Sequence, residues 1–483
     1  MLFLAGGSLV LVTSHAAGTL TLQYGPTVLS GSATTAKEPT VSTSDNGEYV
    51  YVAWTEGGGG IYFTASSNGG SSWNTPLKIS NAGGTAQYPV MITGDGYQSP
   101  NSGDVYVAWA QTVSGTLQPF AAVSTNNGAS FKTTELSTAG GITPVMAAWG
   151  SDVYVSWYQT TACPVTALNP VVNGTTEGCI YVDSSSSNGA TWTAPVELNP
   201  SVRGESQIVA SGSYAYLVAD GTYFSSYGLG GTWKGSGTTS TGWTTPIQVY
   251  GFYTIGSTTS FGREPWIAAS NRDVYITFNA IDLSTTDTYR IYGLTSINGG
   301  ATWYSGTSTS SSNLISSYPP SITTTAEQQK FLMSSTVSDD WEPENVASGS
   351  NAFMTFHSLS NQGIYLTSTT SAGGSWSSPV KVPSQASGTS AYAHVFTSDG
   401  TNYWTLWGQV KSGSVWNAYV SYSGNSGSTW SAPLDISNNA AGVAAGNQDV
   451  TLFWVASFGT TCFAVYTYTS GSSSQVWFSS ATA

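Results

Sequence analysis

Short apolar runs alternate with polar, glycine-bearing turns from one end of the chain to the other. Val50 to Trp54, Val105 to Trp109, Val153 to Trp157, Ala215 to Ala219, Val274 to Phe278, Ala352 to Phe356, Tyr403 to Trp407 and Val450 to Trp454 are eight β-rich runs, several with strand-like alternation. A shorter strand precedes each. It starts near Glu38-Pro39, Tyr88-Pro89, Thr143-Pro144, Glu205-Ser206, Glu264-Pro265, Glu342-Pro343, Tyr392-Ala393 and Ala440-Ala441. A third strand follows each run, leads into a polar hairpin, and a fourth leaves it. Repetition of one unit along the whole length argues for a single closed array rather than several domains.

The hairpin is the best-defined part of the repeat. Ser66 to Trp73 reads SSNGGSSW, and versions return at Ser124 to Phe131, Ser185 to Trp192, Ser296 to Trp303, Thr369 to Trp376 and Ser423 to Trp430, with weaker copies ending at Trp243 and Trp477. A Ser or Asn side chain closes such a turn on backbone amides, Gly takes the positive φ, and the aromatic folds back as a plug. Four antiparallel strands per unit, repeated radially, make a propeller blade, an arrangement that protects sheet edges. The expectation is an all-β fold, a single β-propeller of eight four-stranded blades, with seven as the alternative if the weak fourth or eighth unit is misread. Pro26 to Ser30 resembles the outer segment Pro76 to Ser80, so the N-terminal segment either completes the last blade or adds a fifth, edge strand beyond Trp477 to Ser479.

These hairpins resemble the Asp-box (BNR repeat, S-x-D-x-G-x-x-W) of sialidase-like β-propellers, with Asn replacing Asp at 68, 126, 298 and 425 and Ser at 187 and 371. In that family the box marks the fold and lies away from the active site. The resemblance implies a glycoside hydrolase that clamps a carboxylate with three arginines, the first in an R-x-P motif, beside a Tyr–Glu pair and an acid/base Asp. Here the R-x-P position is held by Lys37 and by Arg263, and the chain has only Arg203, Arg263, Arg272 and Arg290. Sialidases have six blades, so the match is to a superfamily and the arginine triad is incomplete.

Charged residues are 7% of the chain, well below the roughly 25% of an ordinary soluble domain. With 25 acidic and 11 basic residues there is no basic surface for nucleic acid. In strong acid the protein would carry at most +14, from 11 Lys and Arg and three His, which suits an acid habitat as well as it suits drift toward a Ser/Thr-rich surface. Leu2 to Thr13 followed by Ser14-His15-Ala16 reads as a signal h-region and cleavage site, leaving 17–483 as the propeller. No later segment is apolar enough to span a bilayer. Cys163 and Cys179 flank one loop and can close it as a disulfide, while Cys462 reads as a buried thiol, and Asn173 begins a glycosylation sequon. A secreted or cell-surface monomer follows as the expectation.

Long insertions mark the face in use: Tyr158 to Cys179, Gly251 to Gly262, Ala280 to Tyr289 and Ser305 to Asp340 all fall on the face opposite the hairpins. Aligned leading strands bring Glu38, Tyr88, Thr143, Glu205, Glu264, Glu342, Tyr392 and Ala440 to the mouth of the central channel. Carboxylates brought together raise one another's pKa, which is how one is kept protonated as a general acid beside another that stays ionised. Glu264 and Glu342, or Asp340, are therefore the catalytic candidates, with Asp339, Glu344, Asp282 and Asp287 nearby. Arg263, Arg290, Glu38, Glu205, Tyr88 and Tyr392 are candidates for holding substrate, and Trp266 and Trp341, beside the Glu-Pro motifs, for a sugar platform. The aromatics at 54, 109, 157, 278, 356, 407 and 454 recur with the blade and read as core. Glu before Pro can equally bond amides of the neighbouring blade, or Ca²⁺ can fill the mouth. No other metal or cofactor is expected: His15, His357 and His394 are scattered, and no phosphate loop or nucleophile elbow is present. Two functions remain: a carbohydrate-active hydrolase on extracellular glycan or polysaccharide, or a non-catalytic propeller that binds glycan or protein.

Overall fold

The computed structural model describes residues 19–483 except 32–34, 82, 95–102, 160–170, 173–174, 177, 224–225, 237–241, 245–246, 248, 251–252, 256, 261, 285–287, 317–321, 335–339, 384–390, 413–414, 438–452 and 471–472. Its leading strands are β1 (Lys37–Thr43), β2 (Ala86–Thr93), β3 (Ile142–Trp149), β4 (Val196–Ser211), β5 (Arg263–Ser270), β6 (Asp340–Ser348), β7 (Ala391–Ser398) and β8 (Phe453–Phe458). Each leading strand packs against the next, and β8 packs against β1, so the ring is closed. Further antiparallel strands run outward from the leading ones, giving an all-β propeller of seven blade sheets.

Six of those sheets have four strands and one has six. The expected eight separate blades are thus corrected to seven sheets, the alternative count. The reason lies in β4, whose first half pairs with Gly178–Ser185 as the outer strand of the third unit while its second half pairs with Tyr214–Tyr223 as the leading strand of the fourth. Glu205-Ser206 lacks the proline found after Glu38, Tyr88, Thr143, Glu264 and Glu342, so the ladder donor is kept and the strand runs on unbroken.

Closure is made by the N-terminal strand Thr21–Val28, which pairs with Ser473–Thr482 as the fourth strand of the sheet led by β8. That settles the choice between a clasp and a fifth strand. It also shifts the frame of the last unit by one strand: Trp454 lies on the leading strand, not the second, and the ring position assigned to Ala440 belongs to β8. Residue 440 itself is outside the described residues.

The hairpins form as their sequences require. Ser124 Oγ accepts from the amides of Gly128 (2.9 Å) and Asn126 (3.3 Å), and Asn126 Oδ1 accepts from the Ser130 amide (3.0 Å). Asn does here what Asp would do, because only an acceptor oxygen is needed. Gly128 has φ 78°, and a Cβ there would stand 2.3 Å from the Phe63 ring of the preceding sheet. Phe131 packs edge-on against the same ring at 4.7 Å, and Trp73 likewise against Phe478 at 4.8 Å. The plug therefore joins neighbouring sheets and is not confined to its own turn. Asn127, Asn188 and Ala372 donate their amides to Gly103, Ser151 and Ser350 in the first turns of their sheets, which puts hairpins and first turns on one face.

The insertion from Ser305 to Asp340 is only partly a loop over the other face. Leu314 bridges Tyr304 and Leu332 bridges Tyr292, while Ile315, Ile322 and Phe331 join the buried cluster of Trp303, Tyr250 and Phe278. A short helix, Thr325–Gln329, is capped by Thr324, and its Gln328 reaches Tyr250, Ser260 and the Ile281 carbonyl. Much of this segment is thus core for the fifth unit. Among the described residues no helix is long and apolar enough to cross a membrane.

Candidate functional site: the mouth of the channel

Glu38, Tyr88, Thr143, Glu264 and Glu342 all have left-handed backbone, with φ between 47° and 59°. Each precedes a proline, which bars the right-handed helical region, and each sits at a register slip between its leading strand and the next. Such a conformation costs on the order of 1 to 3 kcal/mol, most for a β-branched residue such as Thr143. Its five-fold recurrence at one ring position shows that the bulge belongs to the architecture, and its effect is to deliver these residues to the rim.

The rim opens into a cavity of about 660 Å³ lined from all eight leading strands. Its walls are largely apolar, with Val90, Met91, Ile92, Val145, Met146 and Val395, and its polar groups gather at Glu38, Glu264, Glu342, Glu344 and His394. Glu38 is engaged by the protein itself: Oε2 accepts from the Tyr88 amide of the next sheet (2.8 Å) and from Thr55 Oγ1 (2.9 Å), and Lys37 pairs with Oε1 at 3.2 Å. Glu264 Oε2 accepts from the side-chain amide of Asn279. Glu342 differs. Its carboxyl has no hydrogen bond or ion pair among the described residues, and although the residue is exposed, the walls of the mouth strip water from the carboxyl and push its pKa up.

The two Glu-Pro motifs of β5 and β6 are linked across the rim. Arg263 donates to the Tyr289 hydroxyl (3.4 Å), and the Tyr289 ring lies 4.1 Å from Trp341. Trp266, half-buried, donates its indole N–H to the Asn345 carbonyl of the next sheet (3.2 Å). Trp266 is thus fixed as a sheet-to-sheet contact. Arg290 is committed to Asp282 (3.0 Å) and donates to the Ser334 carbonyl (3.4 Å), so it braces the loop over the fifth sheet. Arg272 donates to the Asn298 carbonyl on the hairpin face, away from the mouth.

Below the rim lies a buried pair, Glu344 and His394, of which the sequence pointed to Glu344 but not to its neighbour. Glu344 accepts from the Phe396 amide (2.7 Å), and His394 Nε2 lies 3.0 Å from Thr355 Oγ1. Burial, helped by Glu342, holds the Glu344 pKa well above the usual carboxylate value. Burial, helped by His357, lowers that of His394 to about 3. His394 is therefore neutral at neutral pH. Among the described residues no three His, Cys, Asp or Glu side chains are placed to share a metal ion, which leaves the Ca²⁺ alternative without a ligand set there.

Of the predicted site residues, Glu38, Tyr88, Glu264, Trp266 and Glu342 line the cavity. Asp340 is fully buried and is withdrawn from the surface. Glu205 and Tyr392 lie on β4 and β7, but their side chains, like that of Arg203, are outside the described residues, as are Cys163, Asn173, Asp287, Asp339 and the first 18 residues. Trp454, read as core, is 41% exposed and lines the cavity. The signal that could have found it is the weakness of the last hairpin copy, which ends at Trp477 and leaves the frame of that unit ambiguous.

No protein-family model matches the chain, and no curated protein matches it. Among solved structures it is similar to a Dyadobacter fermentans protein of unknown function, with 10% identity over 97% of this chain and 98% of that one and a TM-score of 0.41. A Hadza microbial sialidase is similar at 11% identity over 90% and 74%, TM-score 0.38, and an ulvan lyase of a polysaccharide lyase family at 10% over 93% and 94%, TM-score 0.47. What the mouth can do is set by its own residues.

Proposed function

We infer that this protein is a secreted, carbohydrate-active propeller that takes an extracellular glycan or polysaccharide into the channel mouth and hydrolyses a glycosidic bond there. The observation that carries the reading is the contrast between two carboxylates on adjacent leading strands. Glu342 makes no hydrogen bond or ion pair among the described residues and is held toward its protonated form by loss of water, while Glu264 accepts a hydrogen bond from the Asn279 side-chain amide. Glu342 is then the acid that protonates the leaving oxygen, and Glu264 the base or nucleophile on the other side of the bond. Asp340 is too deep to touch a substrate, so Glu342 is preferred to it. Arg263, next in sequence to Glu264 and donating to Tyr289, is the candidate cation for holding substrate.

Glu342→Gln or Glu264→Gln should lower turnover on a responsive polysaccharide by roughly 10²- to 10⁴-fold, the usual worth of a positioned acid or base. In the wild type, the acid limb requires activity to fall as pH rises through the pKa of Glu342. Sugar release unchanged in both variants would remove the catalytic assignment.

The engagement of Glu38 and Glu344 by amides of the next sheet favours a second reading, in which carboxylates at the mouth lock sheets together and the same face only binds glycan. Binding without turnover across a glycan panel selects it. On either reading the hairpins are Asp-box repeats, the N-terminal apolar segment is a signal, Cys163 and Cys179 form a disulfide, and Asn173 is available for glycosylation. Mass spectrometry of unreduced peptides from secreted material tests those assignments together.

A further inference from the structure

Two tryptophans occupy equivalent places on their leading strands. Trp266 lies opposite Thr277 and Trp454 opposite Val465, each just before a buried aliphatic residue, Ile267 or Val455. Their surroundings differ. Trp266 bonds to the next sheet, whereas Trp454 is 41% exposed, lines the cavity, and has no aromatic or hydrogen-bonding partner among the described residues. The hydrophobic effect favours covering a bare indole, and a broad apolar face inside a concave, polar-rimmed cavity is the usual form of a ligand platform.

The charges around that platform limit what it can accept. Arg290 is ion-paired with Asp282, Arg272 serves the opposite face, and Lys37 is paired with Glu38. Arg263 donates to Tyr289, and the described lining of the cavity includes Glu38, Glu264, Glu342 and Glu344 but no Lys or Arg. A carboxylated or sulfated sugar would meet more negative than positive groups there.

We propose that the mouth takes a neutral, pyranose-based glycan, with one sugar ring stacked by its C–H face on Trp454 and its hydroxyls turned to the carboxylate rim. This rests on the glycan reading above and specifies it. Titration calorimetry on the full chain, in the Glu342→Gln background to prevent turnover, compares neutral oligosaccharides of glucose, mannose and xylose with uronic and sulfated ones. The neutral class should bind, Trp454→Ala should weaken that binding by about tenfold or more, and Trp454→Phe should keep most of it. Preference for the acidic class, or unchanged affinity in a Trp454→Ala protein that melts normally, overturns the proposal while leaving the glycan reading intact. If Trp454→Ala does not fold, Trp454→Phe and the neutral-versus-acidic comparison decide. Failure of both classes to bind overturns the glycan reading and this proposal with it.

Discussion

Asp183 offers a direct measure of how this charge-poor protein handles a buried carboxyl. The residue sits in Gly178–Ser185, is 2% exposed, and accepts at Oδ1 from Thr193 Oγ1 and the Ser184 amide, both at 2.7 Å. Those bonds favour the carboxylate, yet burial outweighs them and raises the pKa from 3.8 to about 6. A rise of about two pH units corresponds to about 3 kcal/mol at 1.36 kcal/mol per unit, and water at the hairpin end brings the expectation to about 2 kcal/mol. Below pH 3.8 folded and unfolded chains are both protonated and the term vanishes. Between 3.8 and 6 the unfolded chain gives up its proton first, so stability is lost as pH rises, and above 6 the loss is complete. Asp183→Asn keeps the Oδ1 acceptor and removes the titration. Relative to its value at pH 3.5, the stability difference between variant and wild type should move by about 2 kcal/mol in favour of the variant at pH 7. For a chain of this length that is roughly 2 °C in melting temperature. Any fixed cost of the new amide group cancels, because only the pH dependence is compared. A difference that does not change with pH, or that moves toward the wild type as pH rises, refutes the reasoning.

Two further outcomes follow from other buried groups. His394, at about pH 3 in the fold against 6.5 when free, should cost the wild type stability as pH falls from 6.5 toward 3, because the unfolded chain binds the proton first. His394→Gln should be spared that loss in denaturant titrations, and parallel pH curves for the two proteins would contradict it. Ser124→Ala leaves the buried Gly128 amide without its 2.9 Å acceptor and should cost about 1 to 3 kcal/mol, read as a lowered denaturation midpoint at constant slope. An unchanged midpoint would mean that the hairpin closes without its serine.

An acid habitat is served by Asp183 and Glu344, which lose nothing on protonation, and opposed by His394. Low charge alone therefore does not fix the pH of greatest stability; buried groups of both kinds contribute to it.

The repeat was legible in the sequence because its physics is local. Ser, Asn and Gly at fixed spacing make a hairpin within eight residues, and a proline after Glu38, Tyr88, Thr143, Glu264 or Glu342 shapes one bulge, so unit, strand order and rim position could all be read from neighbours along the chain. Sheet number could not: whether units three and four part or fuse depends on how β4 pairs on both sides, and where Trp454 falls depends on residues 21–28 closing a sheet more than 400 positions away. The fate of each rim carboxylate was likewise a tertiary matter. Glu38, Glu264 and Glu342 each precede a proline and Glu344 lies two positions beyond Glu342, but an amide from the next sheet, an asparagine, apolar walls or full burial makes each a different acid, and those partners meet only when the ring closes.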